Sequence, residues 1–236
     1  MRLLTLFISI LFIFGYTFTP STLLGQDRQE LSTQDMRDLM NTTQMPLRHA
    51  TETTGTPYLY DSFHDGSIVL ANGQTTNVIP IRYNAYEQTL EFRDGESAFV
   101  MDPNTIEEFE IYEDNSIHTF KKGYDSRRLS EDEFVRMIID DEVKFMAKHT
   151  VSFQQGVATY GSATQQDEYL SDVTYYLKVG DGDVNRLRRL NERRVMRNID
   201  HYEDEIEDFA DHNNIDFSDP NDLEKLLLHY NSLLQD

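Results

Sequence analysis

The sequence contains no cysteine. This absence excludes disulfides, thiolate metal ligands, cysteine nucleophiles and a lipid-modified cysteine, so the core alone must stabilise the chain. Basic residues are also scarce, with 21 Lys and Arg against 42 Asp and Glu and a formal net charge of −21. Such a charge repels nucleic acid and anionic membrane surfaces, so we expect neither as a partner.

Familiar catalytic motifs are missing as well. The sequence has no Gly-x-Ser-x-Gly elbow, no phosphate-binding P-loop, no HExxH and no two histidines four residues apart. Carboxylate pairs are common, but they arise by chance in a chain with 42 acids, so they do not single out a glycosidase-like site. The sequence therefore predicts no catalytic residue and no cofactor.

A long apolar run occurs only at the N-terminus. Arg2 precedes the 16-residue run Leu3 to Phe18, the arrangement typical of a signal peptide, which we predict to be residues 1–25 with cleavage after Gly25. An uncleaved anchor is the alternative, but a membrane span needs about 20 apolar residues. We therefore expect an exported, soluble chain in the periplasm or at the cell surface, with no integral membrane segment after cleavage.

The mature chain is large enough for a substantial core. Removing 25 of the 236 residues leaves 211, which is ample for one sizeable domain. The cleaved segment contains one arginine and no acid, so 20 basic and 42 acidic residues remain, a net charge of −22. Residues 26–56 are polar and read as a partly disordered leader, with a short helix over 33–40 capped by Ser32 or Thr33.

Residues 57–190 have the alternating pattern of an antiparallel β-domain. Turns are predicted at Asn72-Gly73, Asp94-Gly95 and Asp114-Asn115, because these pairs favour the left-handed backbone of tight hairpins. Strands are predicted at 67–71, 76–83, 89–93 and 97–101, with further strands within 107–122 and 134–153. Pro80 lacks a backbone donor, so its strand is predicted to be an edge strand or to carry a bulge.

Two features follow in the second half of this domain. His149 lies on the alternating face of a predicted strand, where we interpret it as a structural histidine rather than a ligand. The polar stretch 154–172 is predicted to be a loop, against which Tyr160 and Tyr169 pack.

The stretch Gly180-Asp181-Gly182-Asp183 follows the β-rich segment Thr174 to Val179 and admits three interpretations. A dinucleotide-binding turn lacks its third glycine, because Asn185 occupies that place, and its aspartates would repel a pyrophosphate. A β-hairpin returning over 184–190 is the interpretation that the pattern favours.

A calcium loop of the EF-hand type is the third interpretation. Asp181, Asp183, Asn185 and Glu192 stand at the first, third, fifth and twelfth places of such a loop. Arg186 occupies the place that requires glycine, which counts against it. Calorimetric titration with calcium tests this hypothesis, and no heat at millimolar calcium would reject it.

Residues 191–236 read as a helical segment that packs on or beside the β-domain. Asn191 is the predicted cap of a short helix, and an acidic helix ends near Asn213-Asn214. A last helix begins at Ser218 or Asp219 with Pro220 in its first turn. Its predicted apolar positions are Leu223, Leu226, Leu227, Tyr230 and Leu233 or Leu234.

The charges in this region form two adjacent blocks. Six arginines and one acid lie within Arg186 to Arg197, and eleven acids with no Lys or Arg follow between Asn198 and Glu224. We expect the arginines to pair with these acids, each surface pair contributing about 0–1 kcal/mol.

The segments IPIRYNAYEQTLEF, YYLK and NNIDFSDPNDLEKLLLHYN resemble a group of exported proteins of uncharacterised function that are common in Bacteroidota. The resemblance implies export and a β-domain with a helical C-terminus, and it implies no chemistry. The predicted fold class is α+β, a mainly antiparallel meander forming a sandwich, roll or open barrel, followed by two or three C-terminal helices.

Two functions remain open at this stage. Export, many short strands and the lack of a catalytic motif favour a non-enzymatic binding or envelope-assembly module whose partner is another exported or envelope protein. The alternative is an extracytoplasmic hydrolase whose carboxylates converge only in the fold. A pocket with convergent carboxylates or a histidine would favour the enzyme.

Overall fold

The computed structural model describes residues 30–39, 43–44, 53–156 and 166–235. The predicted signal peptide and Tyr160 lie outside the described residues. The described strands are β1 Glu30–Leu31, β2 Thr43–Gln44, β3 His64–Leu70, β4 Thr75–Thr76, β5 Ile79–Asn84, β6 Thr89–Asp94, β7 Ser97–Val100, β8 Ile106–Glu113, β9 Ser116–Lys121, β10 Val135–Asp140, β11 Val143–Gln154, β12 Glu168–Val179 and β13 Asn185–Leu187. The described helices are α1 Thr33–Leu39, α2 Glu192–Met196, α3 Glu203–Asn213 and α4 Pro220–Leu234, with a 3₁₀ turn at Pro103–Thr105.

The described strands form one open, mainly antiparallel sheet. Its order is β13-β12-β11-β10-β9-β8-β3-β5-β6-β7-β2, and β4 pairs with β3 and, in parallel, with β1. Most neighbours in this order are also neighbours in sequence, because two-residue turns such as Asp114-Asn115 join them, with Asp114 in the left-handed region at φ 48°. The predicted α+β class, an antiparallel meander followed by C-terminal helices, is confirmed.

Two apolar clusters form the main body of the core. The first is built from β3 to β9 and includes Leu31 and the fully buried Met36 of α1. The helix predicted in the leader is confirmed, and Ser32 accepts from the Asp35 amide at 3.3 Å as its cap. The second cluster joins β10 to β13 with α2, α3 and α4.

The last helix packs on β10 and β11 as its sequence pattern predicts. Pro220 follows the cap Asp219, whose side chain accepts from the Asn221 amide at 2.9 Å. The predicted positions Leu223, Leu226, Leu227 and Tyr230 are all fully buried in the second cluster. Burial of each of the three leucine side chains stabilises the fold by about 1.5–3 kcal/mol.

Two predictions in the β-domain are wrong. The strand that contains Pro80 is internal, lying between β3 and β6, and proline is tolerated because pairing with β6 begins only at Ile81. The predicted loop over 154–172 is shorter, because β11 continues to Gln154 and β12 begins at Glu168 in register with it. Tyr169 packs as expected, with ring centroids 5.1 Å from Phe153 and 5.6 Å from Tyr86.

Candidate functional site

An open groove of about 480 Å³ lies where β13 ends and α2 begins. We call it the arginine groove. Its lining residues are Asn185, Arg186, Leu187, Asn191, Arg193, Arg194, Arg197 and Asn198. The lining is dominated by arginine guanidinium groups and asparagine amides, and none of these residues carries a carboxylate.

The β12–β13 hairpin positions one wall of the groove. Arg186 pairs with Tyr176, and Leu187, which is buried in the second cluster, pairs with Tyr175. Because side chains alternate along a strand, burial of Leu187 places Arg186 on the opposite face. A hairpin forms as predicted, but its return strand is Asn185–Leu187 rather than 184–190, and its connection is wider than a tight turn, since the ladder resumes only at Asn185 opposite Leu177.

Helix α2 supplies the other wall, and its cap fixes where it begins. The Asn191 side chain accepts from the Arg194 amide at 3.1 Å, as predicted. Val195 is fully buried and anchors the helix on the second cluster. The Asn198 amide donates to the Arg194 carbonyl at 2.7 Å, which secures the end of the helix beside the groove.

The predicted pairing of the six arginines with the following acids is not found. Within the described ranges, no ion pair of 4 Å or less involves any arginine from Arg186 to Arg197. The acids of α3, from Glu203 to Asp211, make no such pair there either. Strand β13 and the Asn191 cap of α2 set the directions of these arginine side chains. Blocks of opposite charge that are adjacent in the sequence therefore need not pair in the fold.

Arg186 has an unsatisfied donor in this arrangement. Its Nε is buried, and no hydrogen-bond partner for it occurs in the part of the chain that the structure describes. Burial raises the pKa of the neighbouring Tyr176, whose hydroxyl donates to the Arg128 carbonyl at 3.0 Å, and the charge of Arg186 and a hydrogen bond from its side chain partly offset that rise. A buried donor without a partner costs about 1–3 kcal/mol, so an acceptor that reached the Nε of Arg186 would recover this cost.

The residues of the calcium hypothesis lie on different elements. Asp181 and Asp183 are exposed in the connection after β12, and Glu192 begins α2. Asn185 belongs to β13 and donates its amide to the Asp183 carbonyl at 3.0 Å. A strand thus stands where an EF-hand has its first helix. The described residues contain no group of three or more His, Asp or Glu side chains that could hold a metal ion.

Among the described residues, the most deeply buried carboxylate has a structural role. Glu91 is fully buried, and both Nε and Nη2 of Arg82 donate to its Oε2, at 3.1 and 2.7 Å. Tyr58 donates to its other oxygen at 3.2 Å, and the Arg82 guanidinium lies 3.6 Å from the Tyr58 ring centroid. Burial, followed by the charge of Glu91, raises the pKa of Tyr58 to about 12. The carboxylate of Glu91 is thus satisfied by Arg82 and Tyr58 within the fold.

Neither the sequence nor the structure is matched by known proteins. Comparison with protein-family models, curated proteins and solved structures gives no match. In the described ranges no helix combines the length and the apolar character required to cross a membrane. The function must therefore be argued from the arginine groove itself.

Proposed function

We propose that this chain is an exported, non-enzymatic binding protein whose arginine groove holds an acidic segment of another exported protein. One observation carries the proposal: four arginines and three asparagines converge on an open groove and have no carboxylate partner among the described residues. Charge-assisted hydrogen bonds from guanidinium groups to carboxylates are about twice as strong as neutral ones, and arginine often makes them in pairs.

The distribution of charge favours an extended ligand. Arg188 and Arg189 are exposed and continue the basic surface beyond the groove lining. A compact anion would engage only part of this surface, whereas a peptide with several Asp or Glu residues would engage most of it.

Nucleic acid is the other extended polyanion, and the chain as a whole disfavours it. The net charge of −21 repels a long polyanion over distances of about the Debye length, roughly 8–10 Å at physiological salt. A short acidic peptide that lies within the groove is close to the arginines, and it carries less charge outside the groove than a long nucleic acid does. An oligonucleotide therefore serves as the comparison ligand.

The hydrolase alternative draws no support from the groove. Its described lining contains neither a carboxylate nor a histidine to act as acid or base. Calorimetric titration with a short oligoglutamate peptide tests binding. Cell fractionation tests export, and recovery of the intact chain with residues 1–25 in the cytosol would contradict that part of the proposal.

A further inference from the structure

A second group of polar side chains lies on β9, β10 and β11, on the face of the sheet opposite to Arg186. Arg136 of β10 pairs with Phe120 on one side and Ala147 on the other. His118 and His149 each stand two residues from one of these partners, so the pleat places all three polar residues on one face. Phe120 belongs to the first apolar cluster and Phe145 to the second. Arg136 therefore lies between the two cores.

Loop and strand residues complete this group, which we call the inter-core cluster. Its residues are Tyr60, Glu113, His118, Arg136, His149 and Tyr175. The ring of Tyr60 lies 6.4 Å from that of His118, and the charge of Arg136 acts on Tyr60, His149 and Tyr175 alike. Tyr175 stacks on Phe145 with ring centroids 5.5 Å apart. The cluster thus combines one cation with flat aromatic surfaces.

The single carboxylate of the cluster is already engaged. Glu113 lies 3.3 Å from Nε2 of His118, and it also accepts a hydrogen bond from the Tyr60 hydroxyl. Arg136, by contrast, is partly exposed and makes no ion pair of 4 Å or less with the described residues. His149 Nε2 is buried and likewise has no partner in that part of the chain. Two polar groups are therefore left without an ion-pair or hydrogen-bond partner among the described residues.

Among the described residues, Arg136 is the cation of this cluster that has no ion-pair partner. Burial lowers the pKa of His149 to about 4, and the charges of Arg136 and His118 add to this effect. Burial also raises the pKa of Tyr60 to about 12. At neutral pH the imidazole of His149 and the phenol of Tyr60 are both uncharged, so the guanidinium of Arg136 is the group that would face the charge of an anion. A divalent phosphate would need more positive charge, and a metal ion would be repelled by Arg136.

We propose that the inter-core cluster binds an aromatic monocarboxylate, with Arg136 holding the carboxylate, His149 Nε2 hydrogen-bonding to it and the Tyr60 and Tyr175 rings enclosing its flat apolar part. The site is separate from the arginine groove, since the two share no residue. Failure of either proposal leaves the other standing.

Benzoate is the probe for this site, and NMR of the full mature chain is the measurement. We expect saturable shifts of the His149 and Tyr175 ring signals and a rise in the pKa of His149, because a bound carboxylate favours the imidazolium. Arg136→Gln should weaken benzoate binding about tenfold or more, and Arg136→Lys should weaken it less, since lysine keeps the charge but loses the planar fork.

Matched controls make the outcome decisive. Arg93→Gln removes an arginine from β6, elsewhere in the sheet, and should leave benzoate binding unchanged. Benzyl alcohol and inorganic phosphate should produce no saturable shift at His149. The proposal is overturned if benzoate gives no saturation at tens of millimolar, if phosphate binds as well as benzoate, or if folded Arg136→Lys and Arg136→Gln bind benzoate like the unchanged chain.

Discussion

Arg186 of β13 lies directly opposite Tyr176 of β12 in the antiparallel ladder. Tyr176 is fully buried, and its hydroxyl donates to the Arg128 carbonyl, so its position is fixed from both ends. Arg186 consequently projects from a rigid ladder rather than from a loop. A binding side chain on a rigid element loses less conformational entropy on binding, which suits a site that must capture an acidic ligand.

The cap of α2 should control both stability and the groove. Replacing Asn191 with Ala removes the acceptor for the Arg194 amide, which should lower the free energy of unfolding by about 1 kcal/mol. Urea unfolding followed by circular dichroism measures this change. Asn191→Ser is the matched control, because serine caps helices about as well as asparagine. Equal stabilities for the alanine and serine variants would contradict the role of the cap.

The buried pair Arg82 and Glu91 should show a strongly non-additive response. Arg82→Met leaves the fully buried Glu91 without its cation and should destabilise the chain by about 3–5 kcal/mol. Changing Glu91 to Met as well removes the uncompensated charge, so the double variant should be more stable than Arg82→Met alone. Chemical denaturation of both variants measures the difference. A double variant less stable than Arg82→Met would show that this account of the pair is wrong.

His149 should make the folded chain sensitive to acid. Burial lowers the folded-state pKa of His149 from 6.5 to about 4, so the unfolded chain takes up a proton first as the pH falls. The contribution of the neutral imidazole is fully present above about pH 6.5 and is lost as the pH falls toward 4, by up to about 3 kcal/mol.

The comparison with His149→Phe isolates this effect from the titration of the carboxylates. The free energy of unfolding of both chains is measured between pH 8 and pH 4. Below pH 6.5 this free energy should fall more steeply with decreasing pH for the unchanged chain than for His149→Phe. Parallel curves would contradict the lowered pKa.

Asn231 should stabilise the packing of α4 on the sheet through two hydrogen bonds. Its side-chain oxygen accepts from the Val143 amide at 3.0 Å, and its nitrogen donates to Asp141 at 2.9 Å. Asn231→Leu would leave the buried Val143 amide unsatisfied and should cost about 1–3 kcal/mol in urea unfolding.

The same substitution should also be visible at Asp141. The hydrogen bond from Asn231 is the largest cause of the lowered pKa of Asp141, so that pKa should rise in Asn231→Leu. NMR titration of the Asp141 carboxyl measures the rise. Ser232→Ala is the control, since the Ser232 hydroxyl donates to the His229 carbonyl of its own helix.

Features set by neighbouring residues were predictable from the sequence. The Asn191 cap, the Asp114-Asn115 turn and the apolar face of α4 each depend on residues close along the chain, and each is confirmed. The internal position of the Pro80 strand was not predictable, because it depends on the pairing of β3 with β8 and β5 across the sheet.

The geometry of both candidate sites also depends on contacts between residues that are distant in the sequence. The six arginines were visible as a block, but their convergence on a groove required the angle between β13 and α2, which no local pattern encodes. The inter-core cluster was invisible, because Arg136, His118 and His149 lie on three strands and meet only through the register of the sheet.

Calorimetric titration of residues 26–236 with hexaglutamate tests the central claim most directly. Arg193→Gln combined with Arg194→Gln removes two groove arginines and should weaken binding about tenfold to thirtyfold, while Arg93→Gln should have no effect. Added salt should weaken binding further, and a single-stranded oligonucleotide of equal charge should bind more weakly. The account predicts that the groove variant loses affinity for hexaglutamate and that Arg93→Gln does not. Absence of hexaglutamate binding, or equal affinity for the groove variant and the unchanged chain, would contradict it.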